Sequence, residues 1–203
     1  MVNEAPRLQI YTNCMREIKE RIAVTDQFLT EWREQNVATA FACEMAALQL
    51  RKIYELVAFS AISADLEKYS VFRRRFSKDW DFNAIIKTIS NFNPNFLPKP
   101  TRRVPSQVEG VNWHLEERPE AELSKEELIF RHGYLHKFLH ASNPFGKQHE
   151  PREALLRFDT WVREIAQLLS QHRYVIGPMQ QGYIVELNGH GEEVTAFRYD
   201  LAE

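Results

Sequence analysis

The residues best suited to chemistry lie in one short segment, RHGYLHKFLH, at positions 131–140. Three of the seven histidines of the chain are found there, four residues apart, at His132, His136 and His140. Residues four apart lie on the same side of an α-helix, so a helix would gather the three imidazoles. Histidine accepts and donates protons near neutral pH, and the guanidinium of Arg131 offers a planar fork of donors to phosphate or carboxylate oxygens. The segment therefore predicts acid–base or anion-binding chemistry.

Two other interpretations of these histidines stay open. In the first, the helix is structural, and its histidines, His140 in particular, interact favourably with the helix dipole near the C-terminus. In the second, His132 and His136 bind a metal ion, as histidines at i and i+4 do in the zinc motif H-E-x-x-H. Here they enclose Gly-Tyr-Leu, so the carboxylate that acts as base in that motif is missing, and the third ligand would be His140 or a distant residue. We therefore expect no metal and no cofactor.

Arg131 and His136 have the spacing R-H-x-x-x-H, which resembles a signature of HEPN-like domains, and this resemblance implies cleavage of RNA without a metal ion. Such cleavage needs a base for the ribose 2′-hydroxyl, an acid for the leaving 5′-oxygen and a cation for the charge on the phosphorane. We expect His136 to act as the acid or base, Arg131 to bind phosphate, and His132 and His140 to support them. Positions five apart on a helix differ by about 140°, so the two residues diverge within one chain. A dimer would let two copies of the motif meet at one cleft.

The segment RHGYLH resembles the R-[polar]-x-x-x-H signature of HEPN-like domains, in which Asn, Asp or His commonly follows the arginine. HEPN domains are all-α bundles with two long antiparallel helices before the motif helix, and they usually dimerise so that the two motifs face each other. Many are metal-independent endoribonucleases in toxin–antitoxin and phage-defence systems, and others are non-catalytic. The resemblance covers roughly residues 8–172. It implies a homodimer that binds or cleaves RNA, with a cognate antitoxin or regulatory protein as a further partner.

Apolar residues at spacings of three and four predict the helices that would position this segment. The predicted helices cover residues 8–33, 38–65, 81–92, 124 to about 142, and 151–172. The second is apolar around most of its circumference and is therefore central. Asp81 is the expected N-cap of the third, Ser124 begins a capping box S-K-E-E for the fourth, and Pro151 starts the fifth.

Three charged residues of the second predicted helix, Glu44, Arg51 and Glu55, fall within about 40° of one another and form one stripe. Charges on an otherwise apolar helix face water, pair with each other or meet polar groups across an interface. One interpretation makes the stripe the solvent side of the helix. The other places it against the Arg/His helix or a symmetry mate, where it would orient the groups there. Both interpretations remain open at this point.

The segment from about residue 93 to 123 contains five prolines, which exclude a long helix and predict an extended connection along the surface. Its basic part, with Arg102 and Arg103, suits contact with a nucleic-acid backbone. In the other interpretation, this connection is a loop that packs on the helices through Phe96 and Leu97.

Beyond residue 172, apolar and polar residues alternate in YIVEL and EVTAFRY on either side of NGHGE, which predicts a β-hairpin. We therefore expect a mainly α fold, an antiparallel helical bundle resembling HEPN domains with a small C-terminal β-hairpin. The helical domain would cover residues 1–172, with the proline-rich connection at about 93–123. Residues 173–203 would form the hairpin appendage.

Composition narrows the function further. The net charge of −2 gives no global attraction to nucleic acid. Cys14 and Cys43 cannot make a disulfide framework, the N-terminus lacks a signal-peptide pattern, and charged residues interrupt the most apolar segment, residues 37–62. These features predict a cytoplasmic protein without a membrane span. The alternative to an RNA-directed function is a non-enzymatic binding or regulatory protein, in which the Arg/His helix is structural and the hairpin or the proline-rich loop contacts a partner.

Overall fold

The computed structural model describes residues 5–35, 39–64, 81–141, 145, 150–176 and 181–200. Within these ranges the chain forms five α-helices: α1 (Ala5–Gln35), α2 (Ala40–Ala64), α3 (Phe82–Phe92), α4 (Lys125–His136) and α5 (Pro151–Ser170). It also forms five β-strands: β1 (Lys99–Pro105), β2 (Trp113–Glu117), β3 (Gln171–Val175), β4 (Gln181–Glu186) and β5 (Thr195–Asp200). Among the helices in these ranges, none is long and apolar enough to cross a membrane.

Local capping signals set where three of the helices begin. The carboxylate of Asp81 accepts two backbone N–H groups of the first turn of α3, as predicted. The hydroxyl of Ser124 accepts the backbone N–H of Glu127 at 3.1 Å and lies 3.4 Å from its carboxylate, so the predicted capping residues define the start of α4. Pro151 is the first residue of α5, where its missing N–H costs nothing.

Helix α4 ends at His136, earlier than the predicted end near Ser142. The backbone N–H groups of the next three residues bond to carbonyls three residues back, which is the tighter spacing of a 3-10 turn. This turn still leaves the ring of His140 against that of His136, with 4.4 Å between their centroids. The predicted stop signal, residues 143–144, lies outside the described residues.

The prediction of an antiparallel helical bundle with a small C-terminal β-hairpin is wrong, because the five strands join in one antiparallel sheet and the fold is α+β. The strand order is β2-β1-β3-β4-β5. The predicted hairpin is present as β4 and β5, with Glu186 opposite Thr195, but it forms one edge of a larger sheet. The proline-rich connection contributes β1 and β2, and β3 follows α5 without a break. The division of the chain at residue 172 stays a prediction, and that boundary falls within β3.

β1, β2 and β3 were not predicted from the sequence, and the physical reason differs from strand to strand. In β1, Pro100 and Pro105 argue against a strand, yet they stand near its ends, where a ladder N–H is not required. β2 is exposed along most of its length and so has no apolar alternation. β3 does alternate, with His172 and Tyr174 buried, but it continues directly from the apolar stripe of α5.

The inner face of the sheet packs on α1 through a cluster of rings. Tyr11 of α1 lies between 5.4 and 6.1 Å, centroid to centroid, from His172, Tyr174 and Tyr183. The Tyr11 hydroxyl is 2.9 Å from His172 Nε2, and His172 Nδ1 is 3.0 Å from the carbonyl of Leu169. Because a carbonyl only accepts, Nδ1 carries the proton and Nε2 accepts from Tyr11. Burial lowers the pKa of His172 to about 4, so this histidine is a neutral core residue.

Helix α2 is the centre of the helical layer, since α1, α3, α4 and α5 all pack against it. Most of its buried side chains are small and let neighbouring helices approach closely: Cys43, Ala46, Ala47, Ala58, Ser60, Ala61, Ser63 and Ala64. The packing of α4 on α2 brings the Arg/His segment against the charged stripe.

Candidate functional site

The charged stripe of α2 faces α4 at two of its three residues. Arg51 Nε donates to Glu55 Oε1 at 3.0 Å, and both side chains then contact histidines of α4. Glu44 is exposed nearer the start of α2, where it lines a hollow of about 40 Å³ together with Lys137 and His140. The interpretation in which the stripe orients groups on the Arg/His helix therefore describes Arg51 and Glu55.

His132 is the buried end of this arrangement. Its Nε2 lies 3.2 Å from Glu55 Oε1, and its ring stacks on Phe82 of α3 at 3.7 Å between centroids. A carboxylate only accepts, so His132 donates. The hydrogen bonds from His132 and then Arg51 lower the pKa of Glu55 against the opposing effect of burial. Glu55 is therefore an anion at neutral pH, and it anchors Arg51.

Arg51 fixes the protonation of His136. Its Nη1 lies 2.8 Å from His136 Nδ1. A guanidinium has donors and no acceptor, so Nδ1 accepts and the single proton of the neutral ring is on Nε2. Partial desolvation, followed by the effects of His140, Arg51 and His132, lowers the pKa of His136. His136 is therefore held in its neutral form, with an N–H directed outward.

His140 completes the set at the surface. Its Nε2 is 3.0 Å from His136 Nε2, and both histidines are exposed. Because His136 Nε2 carries a proton, it donates and His140 Nε2 accepts. We call the connected residues the histidine relay: His132, Glu55, Arg51, His136 and His140. The relay runs from the buried His132 through the half-buried Glu55–Arg51 ion pair to His140 Nε2 at the surface. The lone pair of that nitrogen is the group a general base requires, and it becomes available when His136 Nε2–H turns to another acceptor.

Arg131 lies on another side of α4, in a closed set of interactions. Its guanidinium pairs with Glu127 at 2.9 Å and with Glu164 of α5 at 2.7 Å, and its side chain is 8% exposed. It also lies 5.4 Å from the centroid of the Trp161 ring. Both carboxylates occupy donors of the guanidinium, so Arg131 holds α4 against α5.

Arg131 and His136 do not meet within one chain. Their spacing on the helix predicts this separation. Arg131 instead borders a cavity of about 240 Å³. The acidic residues that line this cavity are Glu120, Glu122, Glu127 and Glu164. Such surroundings repel phosphate, so a phosphate-binding role for Arg131 needs a rearrangement or a second copy of the chain.

Arg102 and Arg103 belong to the sheet. Arg102 pairs with Glu116 of β2 at 2.6 Å. Arg103 pairs with Glu186 of β4 at 3.0 Å and lies 4.4 Å above the ring of Trp113. Their partners are strand residues, so the structure does not place them with the histidine relay. Their contact with nucleic acid stays a prediction.

Sequence reasoning missed two partners that fix the helix. Phe82 stacks on His132 from a different helix, and Glu164 pairs with Arg131 from α5. A carboxylate at the margin of the apolar stripe of α5 is a signal that could have indicated Glu164. For Phe82, the sequence contains no comparable signal, because an aromatic residue after an N-cap is ordinary core composition.

Within the described ranges, no group of three or more His, Cys, Asp or Glu side chains is placed to hold a metal ion. No protein-family model matches the sequence, and neither a curated protein nor a solved structure matches it. A functional conclusion therefore depends on the geometry of the relay.

Proposed function

We propose that the protein is a cytoplasmic homodimer with a HEPN-like R-H-x-x-x-H motif that binds RNA and cleaves it without a metal ion, with His136 and His140 as the reacting pair. The observation that carries the proposal is this exposed pair, with 3.0 Å between the two Nε2 atoms and Arg51 on His136 Nδ1. A base, a neutral N–H donor and a cation are thereby gathered on one surface. These are the groups that metal-independent attack of a ribose hydroxyl on phosphorus uses.

The chemistry follows from the proton positions. His140 Nε2 accepts the proton of a ribose 2′-hydroxyl, and the 2′-oxygen attacks the adjacent phosphorus. The bond from phosphorus to the 5′-oxygen breaks, and His140 returns the proton to that oxygen. The products are a 2′,3′-cyclic phosphate and a 5′-hydroxyl. His136 Nε2–H donates to a non-bridging phosphate oxygen, in place of the hydrogen bond that it makes to His140 in the free protein.

Arg51 replaces Arg131 as the cation within one copy. Glu127 and Glu164 occupy Arg131, whereas Arg51 pairs with Glu55 and also contacts the reacting pair directly. In this proposal the dimer and a cognate antitoxin or regulatory protein are partners that the HEPN-like motif suggests. A second copy would add its own relay to the RNA-binding surface.

The test is cleavage of a labelled single-stranded RNA in EDTA, with the 2′-O-methyl version of the same oligonucleotide as the matched substrate. We expect wild type to cleave only the RNA and to leave a 2′,3′-cyclic phosphate. His140→Gln should lower the rate by about 100-fold or more, the usual contribution of a general base. His114→Gln, which changes an exposed histidine of β2, should leave the rate unchanged. Equal rates for wild type and His140→Gln would remove the catalytic claim.

A second candidate function is favoured by the burial of Arg131. An arginine with two carboxylate partners and an aromatic neighbour is a structural residue, which fits a non-enzymatic binding or regulatory protein built on the same helices. This alternative predicts a chain that retains RNA or a protein partner and shows no cleavage. His136→Gln would then leave binding and stability close to wild type.

A further inference from the structure

The sheet has a second face, opposite the rings that pack on α1. Strand pairing sets its members: Thr101 lies opposite Glu117, Lys99 opposite Arg173, and Gly182 opposite Tyr199. Because side chains alternate along a strand, these residues point away from the buried Tyr174 and Tyr183. We call this side the outer face. It carries Trp113 and Phe197, which are 41% and 52% exposed.

A pocket of about 260 Å³ opens on the outer face. Each of the five strands contributes to its lining, which consists of Thr101, Leu115, Glu117, Arg173, Ile184 and Tyr199. Sites for drug-sized molecules usually measure about 300–1,000 Å³, so this pocket fits a smaller molecule, about the size of one substituted ring.

Two buried polar atoms without partners belong to residues that line this pocket. In the described part of the chain, four buried side-chain atoms make no hydrogen bond, and three of them are Thr101 Oγ1, Arg173 Nε and Gln171 Oε1. Thr101 is 2% exposed. Buried polar groups are nearly always paired, since an unpaired one costs about 1–3 kcal/mol. Two of these three atoms, the Thr101 hydroxyl and Arg173 Nε–H, belong to lining residues and are hydrogen-bond donors.

The charges of the outer face favour an anion. The register places Lys99, Arg103 and Arg173 on it, against two carboxylates, Glu117 and Glu186. Arg173 pairs with Glu117 through Nη2, and Arg103 pairs with Glu186. The face therefore keeps an excess of one positive charge, and Arg173 Nε is free of the ion pair that its Nη2 makes.

The remaining walls of the pocket are apolar or aromatic. Leu115 and Ile184 are half-buried, and Tyr199 lies against Gly182. A Cβ at Gly182 would clash with the carbonyl oxygen of Tyr174 and come within 2.8 Å of Tyr199 Cε1, so the glycine leaves room for the Tyr199 ring beside this strand. An aromatic wall beside two aliphatic side chains suits a planar or compact apolar group.

We propose that the outer-face pocket binds a small monocarboxylate with a single apolar or aromatic ring. One carboxylate oxygen accepts from Arg173 Nε and the Thr101 hydroxyl, and the ring lies between Leu115, Ile184 and Tyr199. The site is separate from the histidine relay, so it can exist whether or not the chain cleaves RNA.

The experiment uses benzoate as the probe and benzamide, its neutral counterpart, as the control ligand. Titration of the isotope-labelled protein followed by amide chemical shifts should show saturable benzoate binding, with a dissociation constant of about 1 mM or tighter and changes centred on the five lining strands. Benzamide should bind at least about tenfold more weakly, because it lacks the charge that Arg173 recognises.

Variants localise the site. Thr101→Val, which keeps the shape of the side chain, and Arg173→Gln should each weaken benzoate binding by about tenfold. Arg103→Gln removes a cation of β1 on the same face as Arg173 but outside the pocket, and it should change the affinity by less than about twofold. The proposal is overturned if wild type shows no saturable binding, if benzamide binds as well as benzoate, or if the Arg103 and Arg173 variants lose the same affinity.

Discussion

The two sides of helix α4 hold their charged or titratable groups in opposite ways. On one side, Arg131 is buried between Glu127 and Glu164, so its donors are used and its charge is neutralised in place. On the other, the histidine relay starts at the buried His132 and ends at the exposed His140. A closed set of partners stabilises the fold, whereas a set that ends at two exposed imidazoles is also accessible to a substrate. The comparison therefore makes the arginine of the motif structural and leaves its histidines as the residues that carry the proposed chemistry.

The largest effect on stability should come from the closed side. Arg131→Leu leaves both glutamates without their cation, and we expect the free energy of unfolding to fall by about 2 kcal/mol. This is below the 3–5 kcal/mol typical of fully buried pairs because Glu127 and Glu164 are about half exposed. His136→Gln, on the other side of the same helix, should change the free energy of unfolding by less than about 0.5 kcal/mol. Urea denaturation of both variants measures the difference, and equal losses would contradict the assignment.

The buried end of the relay should add a smaller, pH-dependent effect. Hydrogen bonds from His132 and Arg51 hold the pKa of Glu55 below its usual value, so Glu55 stabilises the fold above the pKa of the unfolded chain. That contribution is lost as the pH falls through the lowered value. Glu55→Gln should therefore cost about 1 kcal/mol at pH 7 and progressively less as the pH is lowered to about 3.

Glu44→Gln is the matched control for Glu55, because Glu44 belongs to the same stripe and is exposed. Urea denaturation at both pH values should leave this variant within about 0.5 kcal/mol of wild type. A Glu55→Gln variant whose deficit does not shrink in acid would show that the carboxylate is not the anchor of Arg51.

A substitution on the outer face of the sheet should have the smallest effect on stability, and it should stabilise the fold. The Thr101 hydroxyl is buried without a partner, so Thr101→Val should raise the free energy of unfolding by about 0.5–1 kcal/mol in the absence of ligand. Thr88→Val serves as the control, because the Thr88 hydroxyl donates to the carbonyl of Ala84. Thermal unfolding of the two variants compares them directly, and destabilisation by Thr101→Val would mean that its hydroxyl is satisfied.

The helices were predictable from sequence because their signals are local. Periodic apolar residues place α1, α2 and α5, and Asp81 and Ser124 cap α3 and α4 where their types predict. The sheet was not predictable beyond its last hairpin, because β1 contains two prolines and β2 is exposed along most of its length. Strand pairing between β1 and β3 joins residues far apart in the chain, and no local pattern encodes it.

Part of the candidate site was predictable from the sequence, because the spacing of residues along one helix is also a local signal. Spacing alone puts the histidines on one side of α4 and Arg131 on another. Which way the stripe of α2 faces depends on how two helices pack, so the contact of Arg51 with His136 becomes visible only in the fold. Glu164 is a second contact that the sequence does not reveal. Because it pairs with Arg131, the arginine holds α4 against α5, and its guanidinium is not open to phosphate.

The central claim is that Arg51 holds His136 neutral, with its proton on Nε2 directed at His140. Long-range proton–nitrogen correlation spectra of the histidine rings report which nitrogen carries the proton. At pH 7 we expect His136 to be protonated at Nε2 and bare at Nδ1, and we expect Arg51→Met to release it into a mixture of tautomers with a higher pKa. A wild-type His136 that is protonated at Nδ1, or that does not respond to Arg51→Met, would contradict the account.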